Sequence, residues 1–156
     1  MSSTDDGSPG HPRARWSAVV VNYNYGDLLE RCVRSILDET SAGAPEVVVV
    51  DNGSTDGSAA HLSAVLPVAR VVAAPGNVGY ARGANLGIAS TRAPFVAVLN
   101  GDVELAPGVA AAMLAALESD PRLGAVGPRV LNVDGSVYPS ARSDPGLLVA
   151  GAHAAL

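Results

Sequence analysis

The sequence predicts an α/β fold: a mostly parallel sheet with helices on both faces, built from 156 residues. Three observations predict it. Apolar strand-like segments alternate strictly with amphipathic ones, as a chain of βαβ units requires. The apolar segments are continuous, β-branched runs, the mark of strands covered on both sides. Polar and acidic residues collect where those runs end, and ligands bind beyond the carboxyl ends of the strands in such sheets.

The first strand is Ser17–Val21. A helix follows over Asp27–Leu37, with Leu28, Leu29, Cys32, Val33, Ile36 and Leu37 at helical spacing. Glu46–Val50 is the second strand. The turn Asn52-Gly53-Ser54-Thr55-Asp56-Gly57 leads into a helix capped by Ser54 or Thr55 and running to about Leu66. Arg70–Ala73 reads as the third strand and the glycine-rich Asn77–Ser90 as a helix. Pro94–Leu99 is the fourth strand, and Pro107 suits the first position of a helix ending near Ser119. Ala125–Leu131 reads as a fifth strand, closed by a hairpin-type turn at Asp134-Gly135.

Residues 16–142 therefore form the expected domain. Residues 1–15 are polar, hold no apolar leader, and are expected to be a disordered tail. Residues 143–156 read as the start of a further, truncated region, because an apolar segment runs to Leu156 without a closing turn. No uncharged apolar run approaches the roughly 18 residues of a membrane span.

Composition narrows the function. The chain is 48% hydrophobic and 16% charged, as a globular domain is. Its net charge is -5, and all ten basic residues are arginine, with no basic stripe to hold nucleic acid or anionic lipid. Cys32 is the only cysteine, so no intrachain disulfide forms; it reads as a small core residue rather than a reactive thiol. His11, His61 and His153 lack metal-ligand spacing. The first βα turn carries one glycine in Asn22-Tyr23-Asn24-Tyr25-Gly26, which disfavours a dinucleotide fold, and no P-loop follows any strand.

Candidate site residues come from the strand ends. Asp51 could accept hydrogen bonds from a base or ribose, or could close an Asx-turn with Asn52-Gly53. Asn100-Gly101-Asp102 offers oxygen ligands to Mg²⁺ or Mn²⁺, or is a polar turn. Asn77 and Arg82 flank a helix start and could reach a nucleotide, Arg82 reading equally well as a solvated charge. Gly79, Gly83 and Gly87 recur on one helix face, suited to close packing on the sheet.

Four blocks in this order resemble the family-2 glycosyltransferases. They are Val19-Val20-Val21-Asn22-Tyr23-Asn24, Val50-Asp51-Asn52-Gly53-Ser54-Thr55-Asp56-Gly57, Asn77 to Asn85, and Leu99-Asn100-Gly101-Asp102. The resemblance covers roughly residues 16–142 and implies the GT-A, Rossmann-like nucleotide-diphospho-sugar transferase fold. It implies that Asn22 and Tyr23 line the nucleotide pocket and that Asp51 contacts base or ribose. It implies that Asn77, Arg82 and Asn100 lie beside the nucleotide sugar. Asp102 matches the last acidic residue of the D-x-D motif, which holds Mg²⁺ or Mn²⁺ on the donor diphosphate. Two positions depart from the pattern. Asn100 stands at the first acidic position, and Gly101 stands where related sequences usually carry proline.

A finer resemblance runs through Gly127-Pro128 and Asp134 to Arg142, to the actinobacterial rhamnosyltransferases acting on polyprenyl-diphosphate N-acetylglucosamine. It implies dTDP-L-rhamnose as donor, with a UDP-sugar as the alternative. It also implies a polyprenyl-diphosphate-linked or other cell-envelope glycan acceptor, and work in the cytoplasm at the inner face of the plasma membrane. The expected reaction is a single inverting displacement, its general base lying beyond Leu156. The competing readings are a nucleotidyltransferase and a truncated, non-catalytic nucleotide-binding remnant.

Overall fold

The computed structural model describes residues 14–140. The expected tail, apart from Ala14 and Arg15, falls outside them, as do Arg142, His11, His153 and the region from 143 onward. The described chain divides into two units, one ending at Gly124 and one beginning at Ala125.

The first unit is a four-stranded, all-parallel sheet. Its strands are β1 (Trp16–Asn22), β2 (Glu46–Asp51), β3 (Arg70–Ala73) and β4 (Phe95–Asn100), in the order β3-β2-β1-β4. The helices between and after them are α1 (Asp27–Asp38), α2 (Ser58–Val65), α3 (Tyr80–Ala89) and α4 (Val109–Ser119). β1 is central and every one of its residues is buried, which explains its unbroken apolar run. One face packs Trp16, Ala18, Val20, Val47, Val49 and Leu99 against residues of α1, α2 and α4. The other packs Val19, Val48 and Val50 against Leu86 of α3. Both faces are thus covered, three helices on one and one on the other. Leu28 turns out 43% exposed, off the buried stripe of Leu29, Cys32, Val33 and Ile36.

α3 sits close to the sheet because its contact face carries Gly83 and Gly87, which have no side chain, beside the small Ala84. A Cβ on Gly87 would lie 2.3 Å from Val19 Cγ1 and 3.0 Å from Val50 Cγ2; on Gly83 it would lie 3.1 Å from Val21 Cγ1. Overpacking of this kind costs about 1–3 kcal/mol, against roughly 1 kcal/mol gained in helix propensity by alanine. Gly87→Ala is therefore expected to lower the urea midpoint of unfolding. An unchanged midpoint would mean that α3 does not need this close approach.

Three helix starts differ from the sequence expectation. α2, α3 and α4 begin after Gly57, Gly79 and Gly108, not at Ser54 or Thr55, Asn77 and Pro107. None of these caps has a side-chain bond of its own, because partners elsewhere serve the first turns. Asp56 Oδ1 accepts from Ser58 N at 3.0 Å at the head of α2. At α4, Glu39 Oε2 accepts from Gly108 N at 2.6 Å and Ser41 Oγ accepts from Ala111 N at 3.1 Å. Glu39 is 3% exposed. Burial acts to raise its pKa, yet the hydrogen bonds from Ser41 and from the Gly108, Ser41 and Ala110 backbone hold its carboxyl below the ordinary value.

The second unit corrects another expectation. Residues 125–130 form no strand, and Leu131 makes a single antiparallel bridge to Val137. Pro128 has no N–H to give a ladder, and among the described residues no second strand lies alongside. The turn at Asp134-Gly135 is present: Asn132 N donates to Ser136 O at 2.8 Å and Gly135 N to Asn132 O at 2.9 Å.

Candidate functional site

The strand order reverses direction beside β1: β2 lies on one side and β4 on the other. The carboxyl ends of β1 and β4 therefore flank a topological switch point, where open α/β sheets bind ligands. Parallel register brings the relevant residues level, pairing Asn22 with Asp51 and Val21 with Asn100.

Asn22 is wholly buried. Its Nδ2 donates to Ser58 Oγ at 2.9 Å, Ser54 Oγ at 3.0 Å and Asp51 Oδ1 at 3.3 Å. Its Oδ1 is buried with no hydrogen-bond partner. Asn22 thus ties the end of β1 to the loop after β2, and it is not among the residues lining the cavity described below. Asp51 Oδ1 also accepts from Ser54 N at 3.2 Å, an Asx-turn. Nothing among the described residues donates to Asp51 Oδ2, so the turn and a ligand contact are compatible. Asn24, held at φ 58, accepts from Thr55 N at 2.8 Å through Oδ1. Asp56 Oδ2 accepts from Gly26 N at 2.8 Å. The β1–α1 and β2–α2 loops are consequently one hydrogen-bonded unit.

Asn52 joins the third loop to this unit. It is 4% exposed; its Nδ2 donates to Asn77 Oδ1 at 3.2 Å and its Oδ1 accepts from Val78 N at 3.0 Å. A cavity of about 180 Å³ opens here, lined by Val21, Tyr23, Tyr25, Asn52, Asn77 and Tyr80. Three tyrosines and two amides in the lining suit a flat, hydrogen-bonding heterocycle. Tyr23 and Asn77, expected from sequence, are on its wall. Tyr25, Asn52 and Tyr80 were not expected; the two tyrosines at the first βα turn are a signal for Tyr25 alone. Arg82 is exposed on the first turn of α3 and makes no ion pair among the described residues.

The loop after β4 is pinned from α1. Cys32 Sγ donates to Asn100 O at 3.5 Å, Leu105 N donates to Ser35 Oγ at 3.0 Å, and Arg31 pairs with Glu104. Burial pushes the Cys32 thiol up to about 12, which keeps it a protonated donor and leaves no reactive thiolate. Asn100 and Asp102 stay exposed. Among the described residues no cluster of three or more His, Cys, Asp or Glu could hold a metal alone. The donor set is one carboxylate with a neighbouring amide. It fits a hard cation that takes its other oxygens from a diphosphate and water.

The comparisons with known proteins bear on family and fold. Residues 17–145 match the family described as Glycosyl transferase family 2. The chain is 38% identical over 149 residues to the N-acetylglucosaminyl-diphospho-decaprenol L-rhamnosyltransferase of Mycobacterium tuberculosis, covering 88% of this chain and 48% of that relative. It thus spans about half of that protein's length. It is also 36% identical over 90 residues to the succinoglycan biosynthesis protein ExoO of Rhizobium meliloti, covering 57% and 26%. Among solved structures, the mannosyltransferase PcManGT from Pyrobaculum calidifontis, in complex with GDP-Man and Mn²⁺, superposes with a TM-score of 0.61. It is 25% identical and covers 72% of this chain and 34% of that one. TarS of S. aureus in complex with UDP gives 0.57 at 20% identity, covering 67% and 32%.

Proposed function

The chain belongs to glycosyl transferase family 2 and has the GT-A fold of its structural neighbours, and on that premise we propose that it binds the donor for L-rhamnose transfer to a polyprenyl-diphosphate-linked glycan. The observation that carries this reading is the tyrosine- and asparagine-lined cavity at the carboxyl end of β1, whose Tyr25 lies against Gly101, the residue before the exposed carboxylate of Asp102. The 38% identity to the mycobacterial rhamnosyltransferase supports L-rhamnose as the sugar transferred, and the sequence resemblance implies dTDP as its carrier.

In this reading Tyr23, Tyr25 and Tyr80 take the base, and Asn77 and Asn52 fix its edge. Asp51 accepts from the base or ribose through its free oxygen. Arg82 approaches the diphosphate from the first turn of α3, where helix N–H groups and guanidinium both favour negative charge. Asn100 orients the sugar and Asp102 holds the divalent cation, Mg²⁺ or Mn²⁺. When bound, the cation offsets the negative charge that grows on the departing nucleotide diphosphate. A polyprenyl-linked acceptor would bring the protein to the inner face of the plasma membrane. Among the described residues no helix is long and apolar enough to cross a membrane.

Calorimetric titration of the purified chain with dTDP and with UDP, each with and without Mn²⁺, tests this. Metal-dependent binding with dTDP preferred is the expected result. Preference for UDP would keep the nucleotide-sugar site and reject the rhamnosyl assignment. Failure of a folded chain to bind either nucleotide would reject the donor-site reading.

A further inference from the structure

The contact between Tyr25 and Gly101 spans the switch point and joins the two halves of the site. Gly101 is buried directly after β4, and Tyr25 is half-buried between β1 and α1. A Cβ added to Gly101 would lie 2.6 Å from Tyr25 Cδ2, 3.0 Å from Cγ and 3.2 Å from Cε2. The ring therefore occupies the space that any side chain at 101 would need. The same ring lines the cavity with Tyr23 and Tyr80. From behind, Cys32, Ser35 and Arg31 of α1 hold the loop that carries Asp102. On the cavity side, the Tyr25 ring lies against Gly101.

We propose that Tyr25 is a positioning residue: its ring, packed on Gly101, fixes the Asn100-Gly101-Asp102 turn and couples the nucleotide cavity to the metal-holding carboxylate. This rests on the donor-site reading above. Gly101, which stands where related sequences usually carry proline, is then a fitted partner of the aromatic ring. Burial first, and then the negative charge of Asp102, raise the Tyr25 phenol above its ordinary value, in keeping with the two groups lying within electrostatic reach. The packing, not the hydroxyl, carries the coupling, so the ring alone is sufficient.

The test is a double-mutant cycle on the full chain, using Tyr25→Ala, Gly101→Ala, the combined variant, and Tyr25→Phe. Calorimetry with dTDP and with UDP, each with and without Mn²⁺, is one readout, and thermal unfolding without ligand is the other. Loss of a group that orients a metal ligand typically weakens metal-linked binding about tenfold or more. Tyr25→Ala is expected to weaken Mn²⁺-dependent binding by about that factor and metal-free binding by less, while Tyr25→Phe retains both. Gly101→Ala is expected to lose stability and Mn²⁺-dependent binding. The combined variant should recover the stability and bind no worse than Tyr25→Ala alone, because the clash is gone. Additive losses in the cycle would overturn the packing claim. Equal weakening with and without Mn²⁺ would leave Tyr25 as cavity wall only and overturn the coupling. A wild-type chain that binds no nucleotide overturns the donor-site reading, and this inference with it. Binding by the wild type with no change in Tyr25→Ala overturns this inference alone.

Discussion

In the Asp102→Ala chain, dTDP binding is expected to become indifferent to Mg²⁺ and Mn²⁺. Asp102 supplies the one carboxylate beside Asn100 at the end of β4, and no cluster of three acidic or imidazole ligands exists among the described residues to replace it. A metal contact of this kind is worth roughly tenfold to a hundredfold in affinity, and the whole of that increment should vanish. Metal-free binding should change little, because the tyrosine-lined cavity does not include Asp102. Stability should also be preserved to within about 0.5 kcal/mol, since Asp102 is exposed and makes no hydrogen bond among the described residues. That combination separates a ligand-binding role from a structural one. Calorimetry with and without Mn²⁺, paired with thermal unfolding, reads both. If the variant kept its metal dependence, Asp102 would not be the metal ligand and the polar-turn interpretation would stand.

The sheet was legible because buried parallel strands write themselves as continuous apolar runs. Each expected boundary of β1 to β4 lies within one residue of the observed one. Helix starts were less legible. A helix head is satisfied by whatever donor or acceptor folding brings near, and the Glu39 that serves Gly108 lies 69 residues away in sequence. The expected strand at Ala125–Leu131 failed for a related reason: a strand exists only when paired, and the run holds Pro128 and finds one bridge. At the site, strand-end reasoning found the carboxylates and amides, since their positions follow from register. Tyr25 and Asn52 were hidden because their importance comes from contacts between loops. Asn52 bridges two crossovers, and Tyr25 meets a glycine in the turn after β4. Asn22 was found as a residue but not as an environment. Nothing in its sequence context distinguishes an amide on a pocket wall from one sealed beneath two loops.

That environment makes Asn22→Asp the most destabilising isosteric change expected at the site. Asn22 Nδ2 is a donor surrounded by acceptors: two serine hydroxyls and Asp51 Oδ1, the last at 3.3 Å. A carboxylate there would lose the donor and face a like charge, with no exposure to water. An uncompensated buried charge costs about 3–5 kcal/mol. Asn22→Leu, which removes the hydrogen bonds without adding charge, is expected to cost about 2 kcal/mol and also removes the unpartnered Oδ1. The two variants should separate by pH. Burial and the neighbouring Asp51 raise the pKa of the introduced carboxyl in the fold above its unfolded value. Below the unfolded value it is protonated in both states and carries no charge penalty. As pH rises through the folded value, the penalty grows to its full size. Urea unfolding across acid to neutral pH should therefore show the Asn22→Asp deficit shrinking as pH falls, relative to the wild type at each pH, while the Asn22→Leu deficit stays constant. A pH-independent deficit in Asn22→Asp would mean that water reaches the position and that the two loops are not sealed over it.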